Sequence, residues 1–321
     1  MTEHVQGAAS GPSVRVAVVQ AAARPFDASA AVDTVVARTR EAASRDAGLV
    51  LFPEAYVGGY PWGLSFGTAV GGRSEAGRRT WERYWGSAVD VPGPEVERMA
   101  DAARSAGVHL CVGVVERDSS YSGGTLFCTL LYLGPDGGLL GKHRKLKPTA
   151  AERLIWGEGD GSTLTAVKTP FGTVGGLICW ENYMPLARTA MYAKGVDIYL
   201  APTADARERW QSTLRHIALE GRCFVLGCNQ YVTRDMYPSD LEIAGELDDW
   251  PETLSAGGSA VYGPLGECLA GPLWNEEGIL TAELDLTAIP RSRFDFDVVG
   301  HYARPDVFRL LVDEEPHPPV G

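Results

Sequence analysis

A cysteine at the end of a short apolar run is the residue of this sequence best placed for nucleophilic chemistry. Residues 174–178 predict a buried strand, Cys179 ends it, and Pro185 opens a helical pattern after a brief polar turn. At a strand-to-helix turn, backbone N–H groups and the positive end of a helix dipole stabilise a thiolate, the nucleophilic form of cysteine. Most free cysteines are nevertheless buried structural residues, so the local pattern leaves both interpretations open.

Glu54 is the first candidate to serve such a thiol, because it directly follows an apolar run. Residues 50–53 predict the end of a buried strand, which would place the carboxyl group at the mouth of a sheet, partly dehydrated. Burial raises the pKa of a carboxyl group and makes it a usable base near neutral pH. The alternative is a solvated glutamate in a loop.

Lys145 is the second candidate, and it lies in the basic stretch 142–147 after a predicted hairpin. One ammonium group turned inward could hold a developing anion, whereas a solvated charged loop is the commoner fate of a basic run. His143 could pair with Cys179, although no spacing requires it. Glu152 could orient Lys145, or it could form an ion pair at the surface.

Two β-α-β units must position these residues. The first spans residues 14–52, with apolar residues at helical spacing over 31–47 between two buried strands. The second spans residues 174–201, with its helix over 186–194. Units of this kind imply parallel strand pairs with a helix on one face, and therefore an α/β protein.

The rest of the chain predicts hairpins and loops, in a total of about ten strands in mixed α/β order. Residues 142–161 predict a loop, and residues 231–257 a long polar insert. No shift in composition marks a domain boundary. We therefore expect a flexible tail at 1–12, a single domain over 13–308 and a short tail at 309–321.

Composition excludes several classes of protein. The 321 residues are 45% hydrophobic and 22% charged, as in ordinary soluble globular proteins, and the net charge of −12 argues against nucleic acid as a partner. No apolar run is long enough for a membrane span, and no signal peptide precedes the first strand, so we expect a cytoplasmic protein. The six cysteines form no Cys-x-x-Cys pair, which favours reduced thiols over a disulfide framework or a zinc site.

Taken together, the candidate stretches resemble a known family. Residues 52–61 (FPEAYVGGYP), 143–161 (HRKLKPTAAERLIWGEGDG) and 179–188 (CWENYMPLAR) are similar to the glutamate, lysine and cysteine motifs of the nitrilase branch of the carbon–nitrogen hydrolases. The resemblance continues through residues 214–222 (LRHIALEGR) and 300–306 (GHYARPD), and so covers nearly the whole chain. Three long motifs in the right order make chance agreement very improbable.

The resemblance implies a fold and a set of site residues. The fold would be a four-layer α-β-β-α sandwich, and Glu54, Lys145 and Cys179 would form a catalytic triad with Glu152 as a second glutamate. Glu54 would take the thiol proton and Cys179 would attack a nitrile carbon, giving a thioimidate and then a thioester. Lys145 and the backbone N–H of Trp180 would stabilise the charge that develops on the substrate.

The same resemblance implies no metal and no organic cofactor, a small nitrile as the substrate, and neither nucleic acid nor membrane as a partner. It also implies a homodimer or a larger homo-oligomer. Only about a dozen residues follow Phe308, several of them proline, whereas many nitrilases carry a longer tail that supports a spiral assembly. The dimer is therefore the firmer expectation.

The choice of substrate is the least determined feature. Tyr60, Trp62, Trp180 and Trp210 could line an aromatic pocket for aryl or arylalkyl nitriles, or they could be ordinary core residues. Aliphatic nitriles and cyanide stay possible. The alternatives to a nitrilase are an amidase or cyanide-degrading enzyme of the same superfamily and, in another class, a catalytically silent binding protein on this fold.

Overall fold

Two β-sheets packed face to face form the centre of the molecule, and helices cover both outer faces. The computed structural model describes residues 12–22 and 24–320. The tail predicted at residues 1–12 thus lies, except for its last residue, outside the described part of the chain. Within that part, no helix combines the length and the apolar character needed to cross a membrane.

The helices and strands follow one another in mixed order. The strands are β1 (Ser13–Gln20), β2 (Leu49–Leu51), β3 (Thr68–Ala69), β4 (Gly72–Arg73), β5 (His109–Arg117), β6 (Leu126–Leu133), β7 (Leu139–Arg144), β8 (Ala166–Thr169), β9 (Gly172–Gly176), β10 (Ile198–Pro202), β11 (Phe224–Cys228), β12 (Tyr231–Thr233), β13 (Thr253–Tyr262), β14 (Cys268–Trp274) and β15 (Gly278–Asp285). The helices are α1 (Ala28–Ala43), α2 (Glu75–Gly86), α3 (Pro94–Ala106), α4 (Pro185–Ala193), α5 (Arg209–Gly221) and α6 (Ala288–Ser292).

Local sequence signals explain where the outer helices begin and end. The carboxylate of Asp27 accepts a hydrogen bond from Ala30 N at 2.9 Å and caps α1. Pro94 occupies the first turn of α3, where its missing N–H costs nothing, and Gly107 ends that helix with φ +67°.

The first sheet has the strand order β15-β1-β2-β5-β6-β7. Strands β1 and β2 are parallel, as the first β-α-β unit predicts, β5 is parallel to β2, and the other neighbours are antiparallel. Strand β15 pairs with the whole of β1, from Ser13 opposite Asp285 to Gln20 opposite Gly278. The two ends of the domain therefore close one edge of this sheet together.

The second sheet has the order β12-β13-β11-β10-β9-β8, and β14 pairs with β13. Its centre repeats the parallel arrangement, since β9, β10 and β11 run in the same direction. Parallel strands end at the same edge, so the residues that follow β9 and β10 are neighbours. The turns that follow these two strands therefore lie side by side.

Alternate residues of the central strands face different layers. In β1, Val16 and Val18 pack between the two sheets, whereas Ala17 and Val19 pack under α1 and α3. In the second sheet Leu200 faces the first sheet, and its neighbours in β10 face α4 and α5. Three hydrophobic layers therefore separate four structural layers, and the fold is the expected α-β-β-α sandwich.

Two predictions about irregular segments were wrong in part. Strand β7 runs to Arg144, into the predicted loop 142–161, because Lys142 and Arg144 both bind the buried carboxylate of Glu116 from the edge of the sheet. The predicted insert 231–257 contains β12 and the start of β13, which pair with each other. Polar side chains hid both strands from a pattern of apolar residues.

The segment predicted as a short C-terminal tail lies against the surface of the domain. Lys194 Nζ donates to Glu314 Oε1 at 2.7 Å, and the backbone N–H of His317 donates to Asp160 Oδ2 at 2.7 Å. Leu310 packs against the layer beneath α4 and α5. These contacts join the end of the chain to the C-terminal end of α4 and to the stretch that follows Lys145.

Candidate active site

Cys179 opens a tight turn between β9 and α4. Its backbone has φ +53°, in the left-handed region that residues other than glycine rarely adopt. The Asn182 side chain holds this conformation, because its Nδ2 donates to Leu177 O at 3.0 Å and to Cys179 O at 2.9 Å. Tyr199 in turn donates to Asn182 Oδ1 at 2.8 Å. The predicted strand–turn–helix context of the thiol is confirmed.

Glu54 follows β2 and is completely buried. A glycine allows its approach, since a Cβ atom on Gly113 of β5 would lie 2.1 Å from Pro53 O and 2.8 Å from Glu54 Cα. Gln230 Nε2 donates to the backbone carbonyl of Glu54 at 2.7 Å. The sequence predicted partial dehydration at the mouth of a sheet, and the structure goes further, because the Glu54 side chain is fully buried.

Lys145 follows β7 and extends into the same buried space. Its Nζ donates to Glu54 Oε1 at 2.6 Å and to Glu152 Oε2 at 2.7 Å. The Lys145 side chain is fully buried, so the basic stretch does not form a solvated loop at this residue. One ammonium group thus lies between two carboxylates.

Glu152 holds the lysine from the opposite side. Its Oε2 also accepts from Thr149 N at 2.6 Å, and its Oε1 accepts from Tyr60 Oη at 2.6 Å. The side chain is almost fully buried. Of the two alternatives for Glu152, the structure therefore favours the residue that orients Lys145 over the surface ion pair.

The electrostatics of the cluster follow from its burial. Burial raises the pKa of Glu54 to about 7, while Lys145 opposes the rise and Glu152 adds to it. Burial alone would lower the pKa of Lys145, but the surrounding carboxylates outweigh it and hold that pKa well above its usual range. Burial and Glu54 both raise the pKa of the Cys179 thiol. The resting cluster therefore holds a thiol, an ammonium and a carboxyl group poised near neutrality.

The two oxygens of Glu54 have different surroundings. Oε1 accepts from Lys145, and the thiol of Cys128 lies 3.6 Å from it. Oε2 is buried and has no hydrogen-bond partner within the described residues. Glu54 and Cys179 each perturb the pKa of the other, as neighbouring side chains do. Oε2 is consequently the oxygen free to take a proton.

His143 does not pair with Cys179. It is buried, its Nε2 lies 3.0 Å from Glu181 Oε2, and its Nδ1 lies 2.9 Å from Thr163 O. Because both ring nitrogens face acceptors, both carry protons, and Glu181 raises the pKa of the imidazole against the effect of burial. A buried ion pair replaces the Cys–His pair that the sequence left open.

Glu181 joins the lysine segment to the cysteine turn. Its Oε2 accepts from Ile178 N at 2.6 Å, and its Oε1 accepts from Leu146 N at 2.5 Å. Leu146 follows Lys145 and Ile178 precedes Cys179 in the chain. One carboxylate therefore fixes the spacing of the two segments, a role that sequence analysis missed because the partners are backbone groups.

Thr203 is the other residue that sequence analysis missed. It follows β10, the neighbour of the strand that carries the cysteine turn, and its hydroxyl lies 3.1 Å from Cys179 Sγ. A threonine after a strand carries no motif of its own. Only the parallel order of β9 and β10, combined with the position of Cys179, could have indicated the contact.

A cavity of about 360 Å³ opens onto the cysteine. It is lined by Cys179 and Glu152, by the rings of Tyr60, Trp62 and Trp180, and by Thr149, Ala204, Asp205, Ala206, Arg207, Thr253, Leu254 and Ala256. A larger groove of about 920 Å³ lies over α5 and contains none of the buried cluster. The smaller cavity is therefore the candidate substrate site.

The prediction that Trp210 lines this pocket was wrong. Its side chain is buried in the layer between α5 and the second sheet, and its ring meets that of Tyr183 edge-on at 5.8 Å. Leu214 and Ile217 lie on the same face of α5, at helical spacing from it. Trp210 is thus a core residue.

The fold and the cluster agree with the comparison with known families. A model of the carbon–nitrogen hydrolase family matches residues 15–294, so the chain belongs to this family of hydrolases that act on carbon–nitrogen bonds. Within the family it belongs to the nitrilase branch. It is 56% identical over 303 residues to an aliphatic nitrilase of Sinorhizobium fredii (strain HH103), covering 94% of this chain and 96% of the relative.

Proteins with lower sequence identity to this chain belong to the same family. The chain is 51% identical over 315 residues to a bifunctional nitrilase/nitrile hydratase of Lupinus angustifolius, covering 97% of this chain and 89% of that protein. Among solved structures, the carbon–nitrogen hydrolase of Helicobacter pylori G27 superposes with a TM-score of 0.70 at 20% identity, covering 92% of this chain and 97% of the other. This likeness supports the shared fold.

Proposed function

We propose that this protein is a nitrilase, which hydrolyses a nitrile to the carboxylic acid and ammonia through covalent intermediates on Cys179. The observation that carries the proposal is the single buried cluster of Glu54, Lys145, Glu152 and Cys179 beside the cavity of about 360 Å³. The names of relatives that share half or more of their residues with this chain support the same reaction.

The first half of the reaction forms the thioimidate. Glu54 takes the proton of Cys179, and the sulfur attacks the nitrile carbon while one π bond of the C≡N group opens. The nitrogen receives the proton that Glu54 holds, which gives an enzyme-bound thioimidate. Lys145 and the N–H of Trp180 stabilise the negative charge that develops on this nitrogen.

The second half consumes two waters. Glu54 removes a proton from the first water, whose oxygen adds to the thioimidate carbon and gives a tetrahedral intermediate. Ammonia leaves after protonation, and a thioester remains. A second water attacks the thioester, the C–S bond breaks, and the acid and the free thiol are released. A carboxyl group with a pKa of about 7 suits both the acid and the base steps.

The cavity supports nitriles with an apolar body. Tyr60, Trp62 and Trp180 line it together with three alanines and Leu254, whose side chains are apolar. Aromatic walls favour aryl or arylalkyl nitriles, although the relative in Sinorhizobium fredii is named an aliphatic nitrilase. We therefore propose arylalkyl nitriles first and aliphatic nitriles second.

A substrate panel tests the proposal. Phenylacetonitrile, 3-phenylpropionitrile, aliphatic nitriles, cyanide and the matching amides are supplied, and ammonia, acid and amide are measured separately. We expect acid and ammonia in equal amounts from at least one nitrile, and no turnover by Cys179→Ala. The exposed Cys268 provides the matched control, since Cys268→Ala should keep full activity. Turnover of amides alone would refute the nitrilase assignment.

The amide must be measured because the name of the lupin relative includes nitrile hydratase. Release of amide requires that the tetrahedral intermediate lose the thiol in place of ammonia. A cyanide-specific or amide-specific enzyme would show itself in the same panel. A catalytically silent protein would turn over none of these compounds.

We also propose a homo-oligomer in the cytoplasm. Tyr183, Met184 and Leu186 are exposed apolar residues at the start of α4, and Leu186 is 69% exposed. Burial of such a patch against a second copy would remove this apolar surface from water. Light scattering coupled to size-exclusion chromatography tests the assembly, and a monomeric mass would contradict it.

A further inference from the structure

The hydroxyl of Thr203 contacts the sulfur of Cys179, and no step of the proposed reaction uses this contact. Thr203 is buried and directly follows β10. Its backbone N–H donates to Cys228 O at 2.9 Å, which fixes its position at the C-terminal ends of the central strands β10 and β11. Its Oγ1 lies 3.1 Å from Cys179 Sγ and 2.9 Å from Asp205 N. The side chain therefore touches the atom that attacks the substrate.

The direction of the two hydrogen bonds follows from chemistry. A backbone N–H only donates, so Oγ1 accepts the bond from Asp205. The hydroxyl has one proton of its own, and the sulfur of Cys179 is the partner that the described residues place in front of it. Thr203 thus donates to the sulfur, which leaves the thiol proton free to point to Glu54.

Asp205 keeps the hydroxyl in this orientation. Its own carboxylate accepts from Trp180 Nε1 at 2.9 Å and from Arg207 Nε at 2.7 Å, so the residue is held on both sides. Trp180 is the neighbour of Cys179 in the chain. The turn that carries Thr203 and the turn that carries the nucleophile are thereby locked together.

We propose that Thr203 is a further catalytic residue, whose hydroxyl stabilises the thiolate of Cys179 when Glu54 takes its proton and again when the C–S bond of the thioester breaks. The inference rests on the proposed function. The hydroxyl keeps its own proton throughout, so the balance of the reaction does not change. In both steps a full or partial negative charge lies on sulfur, and a hydrogen bond to a charged group is stronger than one to a neutral group.

The need for this bond comes from the surroundings of the sulfur. The thiol is buried, and the carboxylates of Glu54 and Glu152 repel a negative charge at this site, while Lys145 attracts it. Thr203 adds a second favourable partner that is neutral and therefore leaves the charges of Glu54 and Lys145 undisturbed. The site gains thiolate stability without a second cation beside Lys145.

The test compares four variants in a Cys268→Ala background, which removes the exposed thiol. Thr203→Val keeps the branched shape and removes the hydroxyl, and Thr203→Ser keeps the hydroxyl. Thr203→Ala and Thr203→Ser form a second pair that differs only in the hydroxyl, which serves if the valine variant does not fold. Asp205→Asn retains the backbone N–H and tests the carboxylate separately.

Two measurements are made on each variant. The rate of alkylation of Cys179 by iodoacetamide is followed against pH, with the site identified by mass spectrometry, and kcat/KM is measured on the best nitrile. Without the hydroxyl we expect the alkylation midpoint to move up by about one pH unit or more, and kcat/KM to fall about 10- to 100-fold. Thr203→Ser should stay within about threefold of the parent on both measures.

Two results would overturn the inference. One is a valine or alanine variant whose alkylation profile matches the parent. The other is a serine variant as impaired as the valine variant, which would mean that the methyl group acts through packing. The alkylation profile requires no turnover, so it distinguishes a failure of this inference from a failure of the nitrilase assignment, which absence of nitrile hydrolysis by the parent would show.

Discussion

Replacement of Glu54 by glutamine should stabilise the folded protein at alkaline pH while it removes activity. The carboxyl group has an ordinary pKa of 4.5 and a pKa of about 7 in the folded chain. A carboxyl group whose pKa is raised by folding adds to the free energy of unfolding. This contribution is complete below the unfolded pKa and is lost as the pH rises through the folded pKa. Above neutrality the native protein therefore holds a buried carboxylate at a cost in free energy.

The size of the effect follows from the two pKa values. A pKa shift of this size lowers the free energy of unfolding, relative to a group that stays neutral, by about 3 kcal/mol at pH 8 and about 1 kcal/mol at pH 5. Glutamine imitates the protonated group, so Glu54→Gln should raise the free energy of unfolding by about 3 kcal/mol at pH 8 and much less at pH 5. It cannot accept the thiol proton, and kcat should fall at least about 100-fold.

Urea denaturation of both proteins at several pH values measures the difference. The control is Glu158→Gln, because Glu158 forms a half-exposed ion pair with Lys147 and its removal should change stability by less than about 1 kcal/mol at any pH. A Glu54→Gln protein that is less stable than the parent at pH 8 would refute the reasoning. It would mean that the ionised carboxylate contributes net stability through Lys145.

Four further outcomes follow from the same geometry. Below pH about 7, kcat/KM should fall about tenfold per pH unit as Glu54 is protonated, and a flat profile would contradict this. Glu181→Gln leaves the buried His143 cation without its partner and should cost about 3–5 kcal/mol in urea denaturation. Gly113→Ala should lower kcat/KM about 100-fold, whereas Gly86→Ala, where a Cβ meets no atom within 4 Å, should not. Trp210→Ala should cost about 3–5 kcal/mol by the same denaturation assay and leave KM within about threefold.

The sequence predicted those parts of the fold that depend on apolar periodicity. Strands β1 and β2 with helix α1, and strands β9 and β10 with helix α4, form the two predicted β-α-β units, and their bounds lie within a few residues of the predicted ones. Strand β7 was missed at its end, since Lys142 and Arg144 are polar and reach the buried Glu116 from the sheet edge. The four-layer order came from the family resemblance, because periodicity does not say which sheet faces which.

The site was predictable only to the extent that motifs exist for it. Glu54, Lys145 and Cys179 each follow a strand end, and the resemblance brought them together before the structure did. Residue type alone does not distinguish a pocket residue from a core residue. Trp62 and Trp210 were both predicted to line the pocket, but Trp62 lines it and Trp210 lies in the core. Glu181 and Thr203 escaped notice because their contacts depend on the packing of strands distant in sequence.

The cluster also has a consequence for how the chain folds. Glu54 and Lys145 extend from the first sheet, whereas Cys179 extends from the second. The first sheet is complete only when its edge strand β15 has paired with β1. Pairing of Ser13 with Asp285 joins opposite ends of the chain, and contacts of that range form slowly. Activity should therefore return after secondary structure during refolding, because each sheet alone carries an incomplete set of reactive groups. Recovery of hydrolysis during refolding therefore measures the docking of the two sheets.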